Sequence, residues 1–162
     1  MILTLCIDKL NRSCSMYSPI KLTDYRKKFN VSWAKQLPAD TPPENVLVSY
    51  DREPLFRLIR EKGVMTEEDL MPFTELHPEK NFGNKLWQAS GLSTLGTLKD
   101  ARSMAKLPSL RNMHGIAEIT MFPEYGVMLQ TPSNNCVNHY TWWHTTSFDL
   151  DKAEIQYRDV AL

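Results

Sequence analysis

The chain has 162 residues, 42% of them apolar with ten prolines spread along the length, which suits one domain with a real core and leaves two full domains cramped. Lysine plus arginine equals aspartate plus glutamate at 19 each, so no overall field recruits nucleic acid, an acidic membrane or a basic partner. Cys6, Cys14 and Cys136 are odd in number and lack C-x-x-C spacing, which argues against a disulfide framework and a zinc knuckle and for a reducing, cytoplasmic setting.

The apolar start, Met1 to Ile7, runs into Asp8 and Lys9 and is too short for a signal-peptide core; it reads as a strand or a leader. A first helix is expected after Thr23, with Leu22 as a staple and Tyr25, Phe29 and Trp33 recurring every four residues on an inward face. Leu37 to Glu44 holds three prolines in eight residues and must be an extended connector. Residues 1–44 are therefore read as an N-terminal helical arm that packs on an α+β domain over 45–162.

Leu55 to Arg60 fits either a helix ending at Gly63 or a buried strand, and local signals lean towards helix. Thr66-Glu-Glu-Asp69 is a capping-box helix start that Pro72 stops. Pro72 to Lys85 is polar and reads as a long surface loop. Gly91 and Gly96 bracket a short strand, and Thr97-Leu-Lys-Asp100 then caps a helix with Leu98, Ala101 and Ala105 on one face, ended by Pro108. Strands follow at His114–Met121, Val127–Gln130 and Asn138–Thr145, with turns at Pro123–Gly126 and Thr131–Asn135. This order predicts an α+β fold: a small mixed or antiparallel sheet with a C-terminal β-meander and flanking helices.

The histidines do not make a metal site by spacing. His139 and His144 are five apart on a strand and so face opposite ways, and His114 with Glu118 gives two ligands without a third. No metal is expected. Cys136, beside Asn134 and Asn135 in a turn, reads as a partly exposed thiol. Neither the G-x-S-x-G elbow of a serine hydrolase nor a phosphate loop with its lysine is present. Ser93 and Thr94, between two glycines and before a capped helix, could offer hydroxyls and amides to a ribose or phosphate, or be small residues packed under a helix. On the last strand Tyr140, Trp142 and His144 share one side and His139, Thr141 and Trp143 the other; one side must be core, and the other either shows aromatics to a ligand or is buried too.

The succession Leu55–Arg60, Leu86-Trp87, Gly91–Ala105, His114–Ile119 and His139–Trp143 resembles a group of uncharacterised bacterial proteins and, more distantly, the ADP-ribosyltransferase-like fold, over residues 50–150. The resemblance implies a nucleotide site that takes NAD as substrate, as in small NAD-consuming toxins. Arg57 matches the early basic residue on the NAD phosphates or ribose; Ser93 and Thr94 match the small polar strand, and Tyr140 would line the pocket. The late glutamate of that pattern is missing near His139, so His139 or Glu118 would be the catalytic group. It would also turn Leu55–Arg60 into a strand. The alternative is a non-enzymatic protein-binding module, such as an immunity protein, antitoxin or phage-encoded inhibitor, that masks a partner with an exposed aromatic patch. Trp142 or Trp143 on a convex surface would mark the binder; Arg57, Ser93 and His139 in one cleft would mark chemistry.

Overall fold

The structure is a computed structural model and describes residues 17–161. In chain order it runs β1 (Ser18–Lys21), α1 (Leu22–Phe29), β2 (Asn45–Val48), β3 (Pro54–Ile59), a tight turn of helix at Glu67–Leu70, α2 (Phe73–Leu76), α3 (Leu86–Ala89), β4 (Leu92–Leu95), α4 (Leu98–Ala105), β5 (Gly115–Thr120), β6 (Gly126–Gln130), β7 (His139–His144) and β8 (Ile155–Arg158). The strands form one open sheet in the order β1-β2-β6-β7-β4-β3-β5-β8, and every pairing is antiparallel. The α+β class is as expected.

The C-terminal meander is not. β6 and β7 form a hairpin, but β5 lies on the far side of β3, between β3 and β8. Six consecutive residues of β3 pair with β5, from Pro54 opposite Thr120 to Ile59 opposite Gly115, which occupies the edge that β6 would have needed. Leu55–Arg60 is accordingly a strand rather than a helix through Ile59. Alternation decides it: Leu55 and Ile59 enter one core and Phe56 and Leu58 another.

One sheet face carries Leu55, Ile59, Leu92, Ile119, Met128 and Trp142 under loops that contribute Met65, Leu70 and Phe148. The other face carries two separate clusters. Leu22 and Tyr25 of α1 pack on Val46, Val48, Val127 and Trp143, so the residues before 45 share core with the sheet. Ala101 of α4 packs on Phe56, Leu58, Leu95 and Ile116. The aromatic stripe turns inward, although α1 ends at Asn30 in the left-handed conformation and Trp33 reaches Tyr25 from beyond the helix, with ring centroids 6.3 Å apart. Thr97 caps α4 as expected, its hydroxyl accepting the Asp100 N–H at 3.1 Å. Between Pro72 and Lys85 the chain is not the continuous loop expected, because α2 and a second helical turn at Gly83–Lys85 break it up.

Gly126 starts β6 at φ 132°, and a Cβ there would lie 2.1 Å from the Trp143 carbonyl oxygen. Neither the backbone angle nor the space admits a side chain. Gly126→Ala is expected to cost about 2 kcal/mol through strain and overpacking. Urea unfolding monitored by tryptophan fluorescence measures it.

Candidate functional site

The sheet nearly parts between β3 and β4, whose only paired residues are Phe56 and Leu95. Arg57 fills the gap. Its Nε donates to the Asp69 carbonyl at 2.6 Å and its Nη1 to the Ser93 carbonyl at 2.5 Å, so a guanidinium does what ladder hydrogen bonds would otherwise do. Asp69 is placed by the capping box that the sequence announces. Its carboxylate, 1% exposed, accepts from the Thr66 N–H at 3.0 Å, the Arg60 N–H at 3.1 Å and Arg60 Nη1 at 3.3 Å. Burial lowers the Arg57 pKa to about 10, against the opposing pull of Asp69, and the group stays charged at neutral pH.

A cavity of about 470 Å³, within the range of small-molecule sites, opens beside this gap. Arg57, Ser93 and Asp69 line it together with Leu58, Leu95 and Met104. Ser93 stands opposite Thr141 in the β4–β7 register, which puts His139 on the same face one diagonal away. The Ser93 Oγ and His139 Nε2 atoms are 2.6 Å apart. The other ring nitrogen, Nδ1, lies 3.0 Å from the Thr131 carbonyl and 2.9 Å from Thr131 Oγ1, and Thr131 Oγ1 is 2.9 Å from Thr141 Oγ1. Burial, reinforced by Arg57 and opposed by the Thr131 carbonyl, holds the His139 pKa below that of a free imidazole.

Arg57, Ser93 and His139 are thus contiguous. The remaining candidates are elsewhere. Thr94 is fully buried and its hydroxyl donates to the Tyr140 carbonyl at 3.0 Å. Tyr140 is 5% exposed on the opposite sheet face, edge-on to Tyr17 at 5.2 Å. Glu118 lies in one row with Phe56, Leu95 and His139 across the sheet, three strand spacings or about 14 Å from the histidine. It pairs instead with Arg158, Oε2 to Nε, at 2.7 Å.

Both faces of β7 are buried. Trp142 and Trp143 are 0% and 1% exposed, so neither stands on a convex surface, the mark that would favour the binding-module alternative. Cys136 is also buried, packed with Phe56 and Leu95, which corrects the partly exposed thiol; burial pushes its pKa up and away from a reactive thiolate. Cys6 and Cys14 lie outside the described residues. Among the described residues no group of three histidine, cysteine or acidic side chains could hold a metal ion, and no helix is long and apolar enough to cross a membrane.

The serine–histidine contact is not legible in the sequence, which lacks the G-x-S-x-G elbow of a serine hydrolase. Ser93 and His139 are 46 residues apart, and only the β4–β7 register brings them together. The alternating pattern of His139, Thr141 and Trp143 was the available signal, since it puts the histidine on a face with a polar neighbour. No family model matches the chain, and no curated protein or solved structure does either.

Proposed function

We propose that the protein is an enzyme whose cavity takes an anionic nucleotide, NAD or a relative of it, in the manner of the ADP-ribosyltransferase-like proteins its sequence resembles. The observation that carries this reading is that Arg57 and Ser93 line one cavity while His139 Nε2 lies against the Ser93 hydroxyl. Arg57 supplies a permanent positive charge, and its Nη2 has no partner among the described residues, so a phosphate oxygen can accept from it. His139 is neutral and can take a proton from an attacking water or acceptor hydroxyl as nicotinamide departs. Glu118 has no part at this distance. Cleavage of NAD by water or transfer of ADP-ribose to an acceptor both use this arrangement.

The test is incubation with NAD, with nicotinamide followed by chromatography and the unfolding temperature followed in parallel. At ten times Kd the ligand adds about 1.4 kcal/mol, which raises Tm by about 3–6 °C in a chain of this size. Release of nicotinamide that disappears in His139→Gln is the expected result. The absence of both nicotinamide release and a Tm shift would sink the proposal.

A further inference from the structure

The tautomer of His139 that satisfies every contact carries its proton on Nδ1. A carbonyl oxygen only accepts hydrogen bonds, so the Thr131 carbonyl is satisfied by the ring only in that form. In a neutral imidazole this leaves Nε2 with its lone pair, and the Ser93 hydroxyl, 2.6 Å away, must be the donor. The Thr131 hydroxyl also lies against Nδ1 and can pass its own hydrogen to Thr141 Oγ1, so the ring is held from both sides. A nucleophile, a base that accepts its proton and a group that orients the base are the three parts of nucleophilic catalysis, here with a backbone carbonyl in the orienting position.

Two further observations make this more than an internal hydrogen bond. Ser93 is half-buried and lines the cavity, so the pair is not sealed in the interior. Beside it Arg57 lines the same cavity with Nη2 free of partners among the described residues, so the cavity that holds Ser93 also holds a charged donor. Leu58, Leu95 and Met104 give that space an apolar wall.

We propose that Ser93 is an activated nucleophile, and that the cavity hydrolyses carboxylic esters with an apolar acyl group through a covalent Ser93 acyl-enzyme. Ser93 Oγ attacks the ester carbon as its proton passes to His139 Nε2, and the carbonyl electron pair moves onto oxygen opposite Arg57 Nη2. Collapse breaks the bond to the alcohol, which leaves with the proton from His139. Water then gives a proton to the same nitrogen, attacks the acyl carbon and releases the acid while Ser93 regains its hydrogen. No cofactor is consumed, and this activity does not rest on the nucleotide reading.

A fluorophosphonate probe on the whole protein tests it, with intact mass and peptide mapping as the readout. One adduct is expected, on the peptide that holds Ser93, absent in Ser93→Ala and formed at least about 100-fold more slowly in His139→Gln. p-Nitrophenyl butyrate should give an initial burst equivalent to one acyl group per chain. The labelling rate should be flat near pH 7 and fall as acid protonates His139, a response that a serine with a merely structural partner would not give. No adduct on protein shown by circular dichroism to be folded overturns the proposal, as does an adduct mapped away from Ser93. Should Ser93→Ala fail to fold, mapping on the unaltered chain decides alone. Labelling without nicotinamide release from NAD would leave this activity standing and remove the nucleotide reading; the reverse would do the opposite.

Discussion

Arg57→Met is expected to lower the stability of the protein by about 3 kcal/mol, as the loss of two charge-assisted hydrogen bonds and the stranding of two carbonyls would require. Methionine keeps the apolar stem of the side chain and removes the guanidinium, so the loss reports on the bonds rather than on volume. The Asp69 and Ser93 carbonyls lose the donors that now lie 2.6 and 2.5 Å away. Between β3 and β4 only the Phe56–Leu95 pair then remains. For a chain of this length the expected fall in Tm is about 6–12 °C. Arg57→Lys should recover part of it, because an ammonium reaches one carbonyl where the planar fork reaches both. Calorimetry on the three proteins distinguishes a bridging guanidinium from a charge that merely sits nearby: equal Tm values would remove the bridge.

The second large effect is acid sensitivity from His144. This histidine is 6% exposed, packed against Trp142 and Phe148 with ring centroids at 5.5 and 6.4 Å. Burial first, then Lys35 and Arg57, push its pKa from 6.5 down to about 4. The unfolded chain therefore binds a proton below pH 6.5 that the folded chain refuses until about pH 4. Unfolded protein holds more protons in this window, so stability rises with pH across it and is lost as the pH falls from 6.5 towards 4. A shift of 6.5 to about 4 corresponds to about 3 kcal/mol at about 1.4 kcal/mol per pH unit. Urea midpoints at pH 7 and pH 4.5 should differ by most of that amount, and His144→Phe should flatten the difference. A midpoint that stays constant in the unaltered protein would remove the effect.

Local chemistry made some of this legible in the sequence. The capping residues Thr66 and Thr97, the strand between Gly91 and Gly96 and the hairpin strands of β6 and β7 follow from side-chain hydrogen bonding and from alternation, which act over a few residues. What stayed hidden depends on long-range pairing. β8 reads Ile155-Gln-Tyr-Arg158 with one half-buried and three exposed side chains, so no apolar rhythm announces it. The six-residue match of β3 with β5, which displaces the meander, joins segments about sixty residues apart. The candidate site divides in the same way. Arg57 and Ser93 stand out by type and position, but Thr94 and Tyr140 stand out equally and point into packed interior. Side-chain parity would have separated Ser93 from Thr94 once Leu92 was known to be core. The contact of His139 with Ser93 could not be seen without the register that sets the two on a diagonal.

The weak pairing between β3 and β4 divides the sheet into a five-strand part, β1-β2-β6-β7-β4, and a three-strand part, β3-β5-β8. The chain does not respect that division. It passes from one part to the other at β2 to β3, returns at β4, leaves again for β5, returns at β6 and leaves once more for β8. Neither part is a continuous segment, so neither can be excised, expressed or folded alone, and nearly every pairing closes a long loop before it is rewarded. Folding is consequently expected to be slow for a chain of this size. The thinnest place in the native sheet is thus also the seam that the chain crosses five times.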